Sequence, residues 1–102
     1  MGVGFGFAIA AQALFPKKKV VMVMGDSAFG FSGMEIETAA RYNLPLKVVI
    51  INNNGIGYGT EEFDKSDVKA IPVSALTINA HYEYMSTAFG GKGAQVFNHK
   101  DL

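Results

Sequence analysis

The sequence of 102 residues contains no cysteine and no tryptophan, and its charges cancel. Without cysteine, disulfide bonds, thiolate metal sites and thiol nucleophiles are all excluded. Nine basic and nine acidic residues give a formal net charge of zero, so no general electrostatic field attracts nucleic acid or an anionic membrane. Any anion must therefore be bound by local groups, and neither a nucleic-acid nor a membrane partner is expected.

Long hydrophobic runs are also missing. The apolar stretch 1–14 is too short and too rich in glycine for a membrane span, and it lacks the basic residues of a secretory leader. We therefore expect a soluble chain. Its length allows one domain at most.

What is present is an alternation of helical and buried-strand patterns. Small and apolar residues over 2–15 predict a closely packed helix, and the apolar runs 20–24 and 46–51 predict two strands buried on both faces. Between the strands, residues 27–32 predict a loop and 33–42 a helix. Strand, helix and strand form one βαβ unit, so the predicted fold is α/β, a parallel sheet with flanking helices.

The second half of the sequence is less regular. Asparagine and glycine over 52–59 predict turns, and the polar stretch 60–80 predicts a long loop or lid. A short helix is predicted over 81–89 and a third strand over 94–97. The residues of the predicted helix expected to face inward are Tyr84, Met85 and Ala88.

Polar side chains follow both predicted strands. Asp26 comes directly after the first strand, and Asn52 and Asn53 come directly after the second. Because the carboxyl ends of parallel strands share one edge, where ligands of open α/β sheets bind, these residues are expected to lie together. Carboxylate, carboxamide and main-chain oxygens suit Mg²⁺ or Ca²⁺ rather than zinc. Mg²⁺ commonly shares its ligand positions with phosphate oxygens, which predicts a phosphorylated cofactor.

Neutral groups are predicted to hold the anion. Ser27 offers a hydroxyl, and the helix expected to begin near Gly33 offers free N–H groups. No lysine or arginine is needed if the metal neutralises a diphosphate. Alternatively, Asp26 and Ser27 form an Asx or capping turn, and residues 52–54 form only turns. Each residue alone fits this alternative, but their placement at two successive strand ends favours a site.

Other candidate motifs are weaker. The glycine-rich stretches 2–6 and 25–33 lack the patterns of a dinucleotide fingerprint and of a phosphate loop. His81 and His99 have no partner at metal-ligand or triad spacing, which favours a surface or capping role. The basic stretch 17–19 either contacts an anionic substrate, such as a nucleotide tail, or is a solvated turn.

The spacing of the polar residues resembles a known pattern. Gly25-Asp26-Ser27, with Asn53 standing 27 positions after Asp26, resembles the thiamine-diphosphate fingerprint that begins Gly-Asp-Gly and ends Asn-Asn. The stretches 25–35, 41–45 and 88–93 are similar to the 2-hydroxyacyl-CoA lyase and oxalyl-CoA decarboxylase branch of those enzymes. The resemblance implies that residues 1–102 are an incomplete C-terminal thiamine-diphosphate-binding domain with part of that fold.

The resemblance also implies roles for individual residues. Asp26, the Asn53 side chain and the main-chain carbonyl of Gly55 would ligate Mg²⁺. The implied contacts of the cofactor are Gly25, Asp26, Ser27, Ala28, Asn53, Gly55 and Ile56, with Met1 beneath the thiazolium ring. No catalytic residue is implied, because the family's activating glutamate stands on another domain of a partner subunit.

The function implied is that of a carbon–carbon lyase acting on 2-hydroxyacyl-CoA, as in fatty acid alpha-oxidation. Asn54, where the decarboxylases tend to have glycine, favours the lyase over an oxalyl-CoA decarboxylase. A non-catalytic truncated remnant is the other alternative. The parent is expected to be a homodimer or homotetramer in the cytoplasm or peroxisome. The chain alone is expected to hold the cofactor without catalysing and to self-associate through its exposed apolar surface.

Overall fold

A computed structural model describes residues 1–102 and confirms the predicted α/β class, a parallel sheet with flanking helices. The helices and strands follow one another in the order α1 (Gly4–Leu14), β1 (Val21–Gly25), α2 (Asp26–Ser32), α3 (Glu35–Arg41), β2 (Lys47–Ile51), a short 3₁₀ helix (Val68–Ala70) and α4 (Glu83–Ala88). No helix of the chain combines the length and the apolar character needed to cross a membrane.

The two strands pair in parallel, with Val21 opposite Lys47 and Gly25 opposite Ile51. Helices α2 and α3 lie between them in the chain, so the predicted βαβ unit is confirmed. Because strands pair residue by residue, both carboxyl ends finish side by side at one edge of the sheet. That edge positions the residues that follow Gly25 and Ile51.

A small apolar core lies on one face of the sheet. Phe5 and Ala8 of α1, Met22 of β1 and Phe29 of α2 are its buried members. The rings of Phe5 and Phe29 are 5.9 Å apart, and the Phe29 ring is 5.3 Å from that of Tyr82 in an edge-on arrangement. Aromatic pairs of this geometry add to the free energy of burial. The row of three rings therefore ties α1, α2 and the chain before α4 to one core.

The opposite face of the sheet is open. Successive side chains of a strand point to opposite faces, so Met22 points into the core while Val21 and Val23 are 60% and 65% exposed. Ile51 of β2 is exposed as well. The prediction that both strands are buried on both faces is therefore wrong for this chain, since its helices cover only one face.

The predicted loop over 27–32 is wrong, because these residues form α2, which begins at Asp26. Serine and glycine are weak helix formers, but packing rather than propensity decides the structure of short helices. Phe29 supplies that packing, since its side chain is buried against Phe5. The predicted helix over 33–42 is confirmed as α3, with bounds shortened at both ends.

The predicted third strand over 94–97 is also wrong. These residues are exposed and irregular, and no strand lies beside them to accept their hydrogen bonds. The irregular stretch 60–80 is confirmed apart from its 3₁₀ turn. In the last helix Met85 packs against the core as predicted, but Tyr84 and Ala88 are exposed.

Candidate functional site

The buried carboxylate of Asp26 connects the two strand ends. Asp26 is the first residue of α2 and is 1% exposed. Its Oδ1 accepts a hydrogen bond from the Ser27 backbone N–H at 2.8 Å, and its Oδ2 accepts one from the Gly55 backbone N–H at 3.1 Å. Gly55 belongs to the loop that follows β2. The structure thus places at one edge the polar residues that follow the two strands, as predicted.

The charge of Asp26 has no basic partner in the chain. The ion pairs of the chain join Arg41 to Glu37 and His81 to Glu83. A carboxylate oxygen can accept more than one hydrogen bond, and each oxygen of Asp26 accepts only one. Because a buried charge is costly without a counter-charge, this carboxylate is well suited to bind a cation.

The loop after β2 supplies two further oxygens. The Asn53 amide nitrogen donates to the Gly57 carbonyl at 3.0 Å, and the Thr60 N–H donates to the Asn53 carbonyl at 3.0 Å. No hydrogen bond of the chain ends on the side-chain oxygen of Asn53 or on the carbonyl of Gly55. Both oxygens are hard ligands, so the donor set of this edge fits Mg²⁺. The chain contains no cluster of three or more His, Cys, Asp or Glu, and the predicted ligand set does not require one.

Asn52 and Asn54 have structural contacts. Asn54 has a positive φ of 62°, which asparagine tolerates, and its backbone N–H donates to the Asn52 side chain in an Asx turn. Its side-chain oxygen accepts from the Asn79 N–H at 2.8 Å, and its carbonyl accepts from the Leu76 N–H at 2.9 Å. The turn alternative is therefore confirmed for Asn52. Together these bonds fasten residues 74–80, here called the strap, alongside the loop.

A cleft of about 330 Å³ lies between α2, the loop and the strap. Its lining residues are Asp26, Ser27, Gly30, Phe31, Ile56, Leu76 and Tyr82. Three predicted cofactor contacts, Asp26, Ser27 and Ile56, thus face one space. The Ser27 hydroxyl donates to the Met1 sulfur at 3.8 Å, which puts Met1 beside the cleft.

The remaining predicted contacts do not line this cleft. Gly25 ends β1 and precedes α2, and Ala28 is half-buried in the first turn of α2. Asn53 and Gly55 lie in the adjoining loop. The helix that begins at the strand end is α2, so the prediction that the helix near Gly33 directs its N–H groups there is wrong.

Tyr82 is a cleft residue that sequence reasoning missed. Burial, and to a lesser extent the charge of Asp26, raise the pKa of the Tyr82 phenol above its ordinary value. The helical pattern directed attention to Tyr84, which is 64% exposed and stacks on His81. The available signal was helical spacing, because Tyr82 stands three residues before Met85 and both side chains pack against the core.

The other polar candidates stand apart from the cleft. His81 is exposed and pairs with Glu83 at 2.7 Å, which confirms a surface role. The exposed lysines 17–19 precede β1, so they lie toward the amino end of the strand and away from Asp26.

The amino-acid sequence of the whole chain matches a known family. Residues 1–102 match the family described as thiamine pyrophosphate enzyme, C-terminal TPP binding domain, and the chain belongs to that family. The predicted resemblance is thereby confirmed.

Several relatives within this family are similar to the chain over its full length. The chain is 48% identical over 113 aligned positions to 2-hydroxyacyl-CoA lyase 1 of Homo sapiens and 47% identical over 113 positions to that of Mus musculus. It is 46% identical over 102 positions to oxalyl-CoA decarboxylase of Escherichia coli strain K12. Each alignment covers 100% of this chain and 20%, 19% and 18% of the respective relative. The chain therefore spans about one-fifth of the length of these relatives.

Proposed function

We propose that this thiamine-diphosphate-binding domain holds the cofactor through Mg²⁺ and serves an enzyme that cleaves the carbon–carbon bond of 2-hydroxyacyl-CoA. The observation that carries the proposal is the buried Asp26 carboxylate, which spans the two strand ends and has no basic partner. A divalent cation would satisfy this charge and at the same time attract a diphosphate.

The metal ligands in this proposal are Asp26, the Asn53 side-chain oxygen and the Gly55 carbonyl. Gly25, Ser27, Ala28 and Ile56 lie against the diphosphate. When bound, the cofactor would supply the chemistry for breaking the carbon–carbon bond. The residues of this chain bind and orient it, and the strap shields one side of the cleft from water.

The substrate class is taken from the names of the relatives, which denote enzymes of acyl-CoA compounds. The lyase is preferred because position 54 is Asn, where the decarboxylases tend to have glycine. In the structure the Asn54 side chain accepts the hydrogen bond from Asn79 that fastens the strap. A glycine there would lose that bond. Decarboxylation of oxalyl-CoA is the second candidate function, because the chain is similar to the bacterial oxalyl-CoA decarboxylase. We also predict an acyl-CoA substrate, a homodimeric or homotetrameric parent enzyme, and a cytoplasmic or peroxisomal location.

Calorimetric titration of the chain with thiamine diphosphate and MgCl₂ tests the cofactor site. Saturable binding is expected for the wild type and its loss for Asp26→Ala. Glu61→Ala is the matched control, since Glu61 is an exposed carboxylate without a hydrogen bond or ion pair. Absence of saturable binding in the wild type, or unchanged binding in Asp26→Ala, would overturn the proposed site.

The reaction is tested separately by offering the protein 2-hydroxyacyl-CoA and oxalyl-CoA in the presence of cofactor and metal. Release of an aldehyde and formyl-CoA from the first supports the lyase. Release of carbon dioxide from the second supports the decarboxylase. The assay uses the parent enzyme, since the chain alone is expected to hold the cofactor without catalysing. Consumption of neither substrate by the parent enzyme supports the non-catalytic alternative.

A further inference from the structure

Tyr82 is the only cleft residue that combines a large ring with a hydrogen-bond donor, and no role in the proposed function uses it. Tyr82 lines the same cleft as Asp26 and Ser27. The side-chain hydrogen bonds of this region involve His81, Ser86 and Thr87, and none involves the Tyr82 hydroxyl. The phenol is therefore held in the cleft with its hydroxyl free to bind a ligand.

The ring is fixed from two directions. It packs edge-on against Phe29 at 5.3 Å and 70°, and Phe29 is itself buried against Phe5. The strap that leads to Tyr82 is fastened by the bond from the Asn79 N–H to Asn54 and by a longer contact, 3.5 Å, from the Asn52 amide to the Ala80 carbonyl. A donor held in place in this way loses little entropy when it binds.

The cleft has few donors for an anion. No lysine or arginine lines it, and its side-chain donors are the hydroxyls of Ser27 and Tyr82. A diphosphate that meets a cation beside Asp26 therefore needs neutral donors on its other side. The phenol of tyrosine is protonated at neutral pH, and hydrogen bonds from a neutral donor to phosphate oxygens are charge-assisted.

We propose that the Tyr82 hydroxyl donates a hydrogen bond to the diphosphate of bound thiamine diphosphate, which makes Tyr82 a cofactor-binding residue. This inference rests on the proposed function of the Asp26 site. It assigns a direct contact with the ligand to Tyr82, which lies two residues beyond the strap.

Calorimetry with thiamine diphosphate and MgCl₂ on Tyr82→Phe tests the hydroxyl, because phenylalanine keeps the ring. The dissociation constant is expected to rise about tenfold, the loss typical of one charge-assisted bond. Tyr84→Phe is the matched control, since Tyr84 is exposed and outside the cleft, and it should bind like the wild type. Inorganic diphosphate with MgCl₂ should show the same loss in Tyr82→Phe.

Three results would overturn the assignment. The first is equal affinity of Tyr82→Phe and the wild type for thiamine diphosphate. The second is weaker binding of thiamine diphosphate with unchanged binding of inorganic diphosphate, which would place the contact elsewhere on the cofactor. The third is a lowered thermal midpoint of Tyr82→Phe without ligand, which would assign the hydroxyl to the fold.

Tyrosine fluorescence gives a second readout, because the chain has four tyrosines and no tryptophan. Addition of cofactor and metal should change the emission of the wild type and of Tyr84→Phe but leave Tyr82→Phe unchanged. The same change in Tyr82→Phe as in the wild type would overturn the contact.

Failure of the underlying site is distinguishable from failure of the tyrosine contact. Binding that Asp26→Ala abolishes and Tyr82→Phe leaves intact would refute only the role of Tyr82. No binding in the wild type would refute both.

Discussion

The carboxylate of Asp26 and the backbone N–H of Gly55 lie 3.1 Å apart, although 29 residues separate them in the chain. This bond closes the βαβ unit at its carboxyl edge, between the start of α2 and the loop after β2. It makes the conformation of the loop depend on the same side chain that is proposed to hold the metal. Stability and ligand binding are therefore linked at this edge of the sheet.

The first prediction concerns the metal. Mg²⁺ with thiamine diphosphate at about one hundred times the dissociation constant should stabilise the folded chain by about 2.7 kcal/mol, because ligand binds only the folded state. A thermal shift assay measures the rise in midpoint. A chelator of divalent cations should reverse it, whereas an equal ionic strength of NaCl should not. Stabilisation that survives the chelator would contradict a role for the metal.

The second prediction concerns Gly55. A Cβ at this position would stand 2.6 Å from the Thr60 hydroxyl oxygen and 2.8 Å from the Ser74 carbonyl, so the backbone must shift to accommodate alanine. Gly55→Ala should lower the free energy of unfolding by roughly 1–3 kcal/mol.

Gly6→Ala is its matched control. No atom lies within 4 Å of a Cβ at Gly6, which is in α1, so alanine there should stabilise the chain by about 0.5–1 kcal/mol. Urea denaturation measures both variants. Equal effects of the two substitutions would show that the space beside Gly55 is not restrictive.

The third prediction concerns Thr60. Its hydroxyl oxygen is buried and has no hydrogen-bond partner in the chain, a state that costs roughly 1–3 kcal/mol in proteins. Thr60→Val keeps the shape and removes the hydroxyl, so it should raise the free energy of unfolding by about 1 kcal/mol. Thr60→Ser keeps the hydroxyl and should give no such gain. Destabilisation by valine in urea denaturation would indicate that the hydroxyl has a partner.

The fourth prediction concerns the open face of the sheet. Val21 and Val23 expose a β-branched apolar surface, and such surfaces promote association between copies. Sedimentation velocity should show self-association that increases with concentration, and Val23→Lys should reduce it. Val73→Lys is the control, since Val73 is exposed on an irregular segment away from the sheet. A monodisperse wild-type monomer at all concentrations would refute this prediction.

The fifth prediction concerns pH. The hydrogen bond from His81 lowers the pKa of the Glu83 carboxyl below its ordinary value of 4.5. Because the folded-state pKa is the lower one, the stabilisation is fully present above about pH 4.5 and is lost as the pH falls through the folded-state value.

The thermal midpoint of Glu83→Gln should therefore lie below that of the wild type at mildly acidic pH, and the two should converge in stronger acid. Glu61→Gln, at an exposed carboxylate without partners, should match the wild type throughout. A difference between Glu83→Gln and the wild type that persists in strong acid would show that charge on Glu83 is not its cause.

Much of the fold could be predicted because short apolar runs and turn residues, visible in the sequence, specify its strands and helices. The runs over 20–24 and 46–51 marked the two strands, and parallel pairing followed from the helix between them. The same pairing predicted that Asp26 lies beside the residues that follow β2, and its carboxylate accepts a hydrogen bond from Gly55 of that loop. The spacing of Asp26 and Asn53 then identified the family.

What escaped prediction depends on contacts between distant residues. Helix α2 forms from weak helix formers because Phe29 is buried against α1, and no local pattern shows that burial. Tyr82 reaches the cleft because Asn54 fastens the strap, a bond that spans 25 residues. The apolar stretch 94–97 has strand propensity but no partner strand, and a strand requires one.

The two oxygens of the Asp26 carboxylate have a practical use for spectroscopy. One accepts the amide proton of Ser27 and the other that of Gly55, so two backbone resonances from different strand ends report on a single side chain. In a nitrogen–proton correlation spectrum, a ligand arriving at the carboxylate would move both peaks together. A disturbance confined to the loop would move that of Gly55 alone.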